Sequence, residues 1–188
     1  VRDNQLIEIQ TRNFGSIRNK IRTLLINYPV RLIYPICEEK WIVTLNRDGE
    51  FMSRRKSPKK GKVLDIFNEL IHCPEVMNDE KFSLEILMIK AEEIRCHDGK
   101  GSWRRKGLSI YDKILLNVMQ SVVYESKEDF LSFLPNELPQ PFTNKVLSKY
   151  LDISMSQATR ITYCLKKMGL IEAVGKKGNT ILYEIKHL

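Results

Sequence analysis

The chain has 188 residues, 43% of them hydrophobic, with 31 Lys and Arg against 23 Asp and Glu, a formal net charge of +8. That length holds one large or two small domains, and the apolar share supports a core, which argues against disorder. A basic balance favours an anionic partner, nucleic acid before membrane, and no apolar run approaches the length of a membrane span. The cysteines Cys37, Cys73, Cys96 and Cys164 form no C-x-x-C pair, and no signal peptide is visible. They are expected as free thiols of a reducing cytoplasm. His72-Cys73 and Cys96-His97 set ligand types side by side rather than at zinc spacings, so no zinc site is expected.

The chain opens on Val1 rather than Met, which is expected of a fragment or a processed product. Leu6 to Gln10 is apolar enough for a buried strand. Side chains repeat every two residues along a strand, so Glu8 and Gln10 share a face. The spacing of Ile17, Ile21, Leu24, Leu25 and Tyr28 predicts a helix from about Phe14 to Tyr28, ended by Pro29. Val30 to Tyr34 is a second strand, which completes a parallel, right-handed βαβ unit. Lys40 to Leu45 and Glu50 to Ser53 flank the turn sequence Asn46-Arg47-Asp48-Gly49 and predict a hairpin.

Arg54, Arg55, Lys56, Lys59, Lys60 and Lys62 follow with no acid among them, and Pro58 and Gly61 argue for an irregular loop. Such a loop can neutralise phosphates, with Arg54 and Arg55 as candidates, or serve as a solvated linker. Val63 to His72 reads as a short helix. Phe82 to Ile89 reads as a strand that Ala91 to Arg95 continues or pairs with. Residues 97–107 read as an exposed loop in which Trp103 anchors the loop to the next element, or else stacks on a base beside Arg104 and Arg105. Ile114, Leu115, Val118, Met119 and Val122 fit helical spacing and predict a helix over Ile110 to Tyr124. A helical turn over Asp129 to Leu134 and a stiff stretch with Pro135, Pro139 and Pro141 lead into Thr143.

From Thr143 the pattern is helix, turn, helix and two strands. Thr143 caps a short helix with Val146, Leu147, Tyr150 and Leu151 on one face. Ser154 and Gln157 have capping-box spacing, and Gly169 supplies the stop. Ala158, Ile161, Thr162, Leu165 and Met168 share one face of the second helix. Ser156, Gln157, Arg160, Tyr163, Cys164 and Lys167 share the other. Leu170 to Val174 and Thr180 to Ile185 are β-prone and flank a basic, Gly-bounded tip. Lys145, Lys149, Arg160, Lys166, Lys167, Lys176 and Lys177 outnumber Asp152, Glu172 and Glu184 here.

This segment resembles a winged helix-turn-helix. The resemblance implies a second helix lying in the DNA major groove and a wing against phosphates. Gln157, Arg160, Tyr163 and Lys167 are then the groove-facing candidates, and Lys176, Lys177 and Asn179 the backbone contacts. The opening strand, helix and strand, with Glu8-Ile9-Gln10, resemble the second half of a PD-(D/E)XK nuclease core. That resemblance implies that Glu8 holds a divalent cation, Mg²⁺, and that Gln10 helps position water where Lys is commoner. The family's upstream acid has no clear position, because Asp3 sits too near the strand. A fragment lacking that acid is expected to be inactive. Lys40-Trp41-Ile42-Val43 with Arg54-Arg55-Lys56-Ser57-Pro58 resembles an uncharacterised prokaryotic family of this architecture.

The expectation is an α+β chain: a truncated α/β domain over residues 1–97, βαβ plus hairpin, then a winged helix over 108–188. Its expected partner is double-stranded DNA, with no membrane and a homodimer left open. The expected function is DNA binding. The alternatives are a metal-dependent endonuclease, a transcriptional regulator, or a winged helix that binds protein.

Overall fold

The computed structural model describes residues 4–186, a mixed α+β chain. Two compact units interleave along it: Val1–Tyr34, Leu64–Glu85 and Val123–Leu188 form one, Pro35–Val63 and Ile86–Val122 the other.

In the first unit, β1 (Leu6–Ile9) pairs in parallel with the start of β2 (Val30–Leu45), Leu6 beside Val30 and Ile9 beside Ile33. A parallel pair needs a crossover, and α1 (Phe14–Asn27) supplies it. The chain enters α1 through Asn13 at φ 60, a left-handed conformation that Asn tolerates better than most residues. The Phe14 N–H, one of the amides left free at a helix start, donates to the Glu69 carboxylate at 3.1 Å. Phe14, Ile17, Ile21 and Leu25 form the buried stripe that the spacing predicts. The helix expected over Val63 to His72 is shorter: a 3-10 turn at Val63–Ile66 runs into the four-residue α2 (Phe67–Leu70). A second 3-10 turn covers Pro74–Asn78. Phe67 and Phe130 are fully buried and pack with Phe133 and Tyr124 into an aromatic cluster, Tyr124 lying 4.8 Å from Phe130 by ring centre.

In the second unit, β2 continues without a break to Leu45, so the two strands expected on either side of Pro35 are one. Proline lacks a ladder donor, but its φ suits extended chain, and a strand absorbs the loss of one bond. β3 (Phe51–Lys56) pairs antiparallel with β2. Arg54, Arg55 and Lys56 therefore lie in a strand, not in the expected loop. β4 (Phe82–Cys96) is the single long strand left open by the sequence. Strand order is β1-β2-β4-β5, with β3 also on β2, and β5 is Ser109–Tyr124.

That last strand overturns the helix expected over Ile110 to Tyr124. Its apolar spacing satisfies a helical stripe, but an amphipathic helix is held chiefly by tertiary packing of that stripe. Residues 110–121 are exposed on both sides of the strand, so no such packing surface meets them. The segment is rich in Ile, Val and Tyr, which suit a strand, and its backbone hydrogen bonds go to β4 instead. Trp103 does not anchor its loop either: it is 83% exposed, on a 3-10 turn beside the Arg104 guanidinium. Among the described residues no helix is long and apolar enough to cross a membrane.

Candidate nucleic-acid interface

The C-terminal part of the first unit is built from α3 (Asn144–Tyr150), α4 (Met155–Lys167), β6 (Ile171–Lys177) and β7 (Thr180–Ile185). Both expected caps form: Thr143 Oγ1 accepts the Val146 N–H and Ser154 Oγ the Gln157 N–H, each at 3.2 Å. Asp152 makes the intervening turn at φ 49, and Gly169 at φ 79 ends α4. Asn144 ties α3 to α4, accepting from Thr162 Oγ1 at 2.8 Å and donating to Thr159 Oγ1 at 3.2 Å. Leu147, Ala158, Ile161, Leu165 and Leu170 are fully buried beneath them. The backbones of Phe142 and Tyr183 exchange two hydrogen bonds of 2.8 Å, which fasten the hairpin to the chain before α3.

α4 is buried on two sides rather than one. Besides its apolar face, it packs against α2 and the 3-10 turn at Pro74–Asn78. Cys164, expected on the polar face, is fully buried there, and burial raises its thiol pKa; burial likewise pushes the Cys73 thiol up to about 11. Arg160 is half-buried and donates to Asn68 Oδ1 at 2.8 Å. Gln157 is half-buried beside it. Lys167 stays exposed but leans over the Tyr163 ring and lies 4.0 Å from Glu75.

The solvent edge of α4 consists instead of Met155, Ser156, Thr159, Tyr163, Lys166 and Lys167. Of the groove-facing candidates, Tyr163 and Lys167 are exposed on this edge, whereas Gln157 and Arg160 are half-buried. Ser156 lies on the polar face that the spacing predicts, Lys166 belongs to the segment's basic set without a predicted place in the groove, and Thr159 falls on neither predicted face. The apolar pattern marks one buried face, and nothing local tells that a second element covers the flank at Arg160 and Cys164. No acidic residue occurs in α4. In the hairpin, Lys176, Lys177 and Asn179 are exposed, and neither lysine has an ion-pair partner among the described residues.

The remaining candidates lie elsewhere. Glu8 is on β1, paired with Lys20 at 2.7 Å. Gln10 lies just past β1, and its side-chain amide donates to the Arg12 carbonyl at 2.6 Å. Among the described residues no group of three or more His, Cys, Asp or Glu could hold a metal ion. Asp3 lies outside the described residues.

The second unit holds 15 Lys and Arg against 8 Asp and Glu, a net +7 out of the chain's +8. Part of this charge is internally neutralised. Arg54 bonds Glu92 at 2.7 Å with its guanidinium 4.1 Å over Trp41. Hydrogen bonds from Lys56 and Lys90 hold the Glu39 carboxyl at about 2. Burial acts to raise the Glu93 pKa, yet hydrogen bonds from Arg95 and Lys40 leave it lowered. Arg55, Lys59 and Lys60 are exposed and have no ion pair among the described residues.

A family described as "Domain of unknown function (DUF8091)" matches residues 1–125, two thirds of the chain. The chain belongs to this family. The DUF8091 match ends one residue past β5, so α3, α4 and the hairpin lie beyond it. An uncharacterized protein of Treponema pallidum (strain Nichols) is 31% identical over 182 residues, 96% of this chain and 71% of that protein. That alignment must run on past the DUF8091 region into the C-terminal segment. No solved structure matches the chain.

Proposed function

We propose that the protein binds duplex DNA, using α3, α4 and the β6–β7 hairpin as a winged helix. The observation that carries this reading is the acid-free solvent edge of α4, followed by a hairpin with two exposed lysines that have no ion-pair partner among the described residues. Phosphates favour such a surface because each neutralised contact releases counterions. Tyr163, Thr159 and Lys166 would face the groove, with Lys176, Lys177 and Asn179 on the backbone.

The test is fluorescence anisotropy on labelled duplexes at low salt. Tyr163→Ala with Lys166→Ala should weaken binding by about tenfold or more, as expected for losing a groove contact and a phosphate contact. Arg160→Ala should change duplex affinity by less than about threefold, and should instead lower stability by about 1 kcal/mol through the lost Asn68 bond. Absence of duplex binding, or the reverse order of effects, overturns the assignment. The nuclease reading retains the parallel βαβ frame, but Glu8 is occupied by Lys20, and no activity is proposed from it.

A further inference from the structure

The loop between β4 and β5, residues 97–108, is folded on itself. The Arg105 and Lys106 N–H groups donate to the Ser102 and Trp103 carbonyls at 2.9 Å, and the Gly101 N–H to the Gly107 carbonyl at 3.1 Å. A Cβ at Gly101 would overlap the Leu108 carbonyl, so the two arms of the loop meet backbone to backbone. This frame holds the Trp103 ring out in water at 83% exposure, with the Arg104 guanidinium 5.6 Å from its centre. Among the described residues of the loop, Trp103 is the only large apolar side chain exposed, and it sits among Lys100, Arg104, Arg105 and Lys106. The loop's one acid, Asp98, is engaged internally, accepting from the Lys100 N–H at 3.0 Å and from Ser109 Oγ at 2.9 Å.

Two more exposed rings stand at the same end of the sheet. The His97 N–H donates to the Leu45 carbonyl at 3.1 Å, and Phe51, 66% exposed, pairs with Leu45 from the other side. Tyr111, 74% exposed, lies two residues beyond Ser109 on β5. The turn before Phe51 contributes Arg47, Asp48 and Glu50, and Glu50 accepts from the Asn46 amide at 2.9 Å, so this end of the second unit stays cationic.

We propose that this end of the second unit binds single-stranded nucleic acid. An unpaired base stacks on Trp103, neighbouring bases meet Phe51 and Tyr111, and phosphates lie against Lys100, Arg104 and Lys106. Single strands supply both halves of the match, because every base has a π face and every nucleotide a negative charge. In a duplex the base faces are covered by one another, which leaves the indole little to meet. A membrane anchor gains affinity with buried apolar area, and one indole among four cations offers little of it. The surface lies wholly in the second unit, so it holds or fails without the winged helix.

The test is titration of the full chain with dT and U strands of about ten nucleotides at low salt, read by tryptophan fluorescence and by anisotropy of labelled strands. The chain has two tryptophans, and Trp41 is half-buried beneath the Arg54 guanidinium, so quenching by stacked bases reports Trp103. Trp103→Ala should abolish the quenching and weaken binding by about 5-fold to about 150-fold, as for one lost base–aromatic stack, while Trp103→Phe should keep most of the affinity. Lys100→Ala with Lys106→Ala should lower the salt slope by about 1.4, at about 0.7 for each phosphate contact on a single strand. Quenching by either strand supports the assignment, and a preference between them tells which polymer is the partner. Absence of quenching by both overturns it, as does a duplex of equal length that binds through Trp103 as tightly as the single strands. Trp103-dependent binding to phosphatidylserine vesicles without binding to either strand overturns it in favour of a membrane. Lys176→Ala with Lys177→Ala, in the first unit, should leave the quenching unchanged, which separates a failure here from a failure of the winged helix.

Discussion

Replacing Lys176 and Lys177 together with Ala isolates the hairpin from the rest of the proposed DNA surface. Both are exposed, neither is ion-paired among the described residues, and the hairpin core at Ile171 and Tyr183 lies away from them. The fold should therefore survive. Each phosphate contact on duplex DNA contributes about 0.9 to the slope of log K against log salt. Successive strand residues point to opposite faces, so the double change removes between one and two contacts. The slope should fall by about 0.9 to about 1.8. Carried from a 1 M reference to 0.15 M salt, that is a loss of about 5-fold to about 30-fold in affinity, and at 0.05 M about 15-fold to about 200-fold. Anisotropy titrations between these salt concentrations measure both quantities, and single substitutions show which lysine faces the DNA. A folded variant with an unchanged slope would refute the assignment of the hairpin.

Two further outcomes concern the second unit. A Cβ added at Gly61 would sit 2.6 Å from Ile36 Cγ2 and 2.8 Å from the Cys37 carbonyl oxygen, and the latter is backbone that cannot swing aside. Gly61→Ala should cost about 2 kcal/mol and lower the melting temperature by about 4 to 8 °C; an unchanged melting curve would show that the loop is free to relax. Hydrogen bonds from Lys56 and Lys90 to its charged form hold the Glu39 carboxyl at about 2, well below the usual carboxylate range. A depressed carboxylate stabilises above its unfolded pKa and loses that contribution as pH falls toward the folded one. The stability gap between the unmodified chain and Glu39→Gln, from urea unfolding, should therefore be present at pH 6 and shrink as pH falls from about 4.5 to about 2. Equal gaps at pH 6 and pH 2 would show that the ion pairs do not favour the fold.

What could be read from the residues was mostly local. Thr143, Ser154 and Gly169 marked helix ends because their side chains or free φ satisfy orphaned backbone groups, and those caps are in place. The β1–α1–β2 crossover was legible because a four-turn apolar stripe separates two apolar runs. The errors share a cause. Ile110 to Tyr124 fits both periods, and only the presence of β4 as a pairing partner selects the strand. Pro35 suggests a break where a strand carries through it.

The order of elements from Thr143 onward, the caps and the buried stripe of α1 followed from the sequence alone, because each depends on groups within a few residues of one another. The flank of α4 that Arg160 and Cys164 occupy was decided by α2 and the turn after it, some ninety residues earlier in the chain, since hydrogen bonding to Asn68 and packing take that surface from solvent. The concentration of net charge in the second unit was likewise a tertiary outcome: charges spread along two separate segments gather only when those segments fold together.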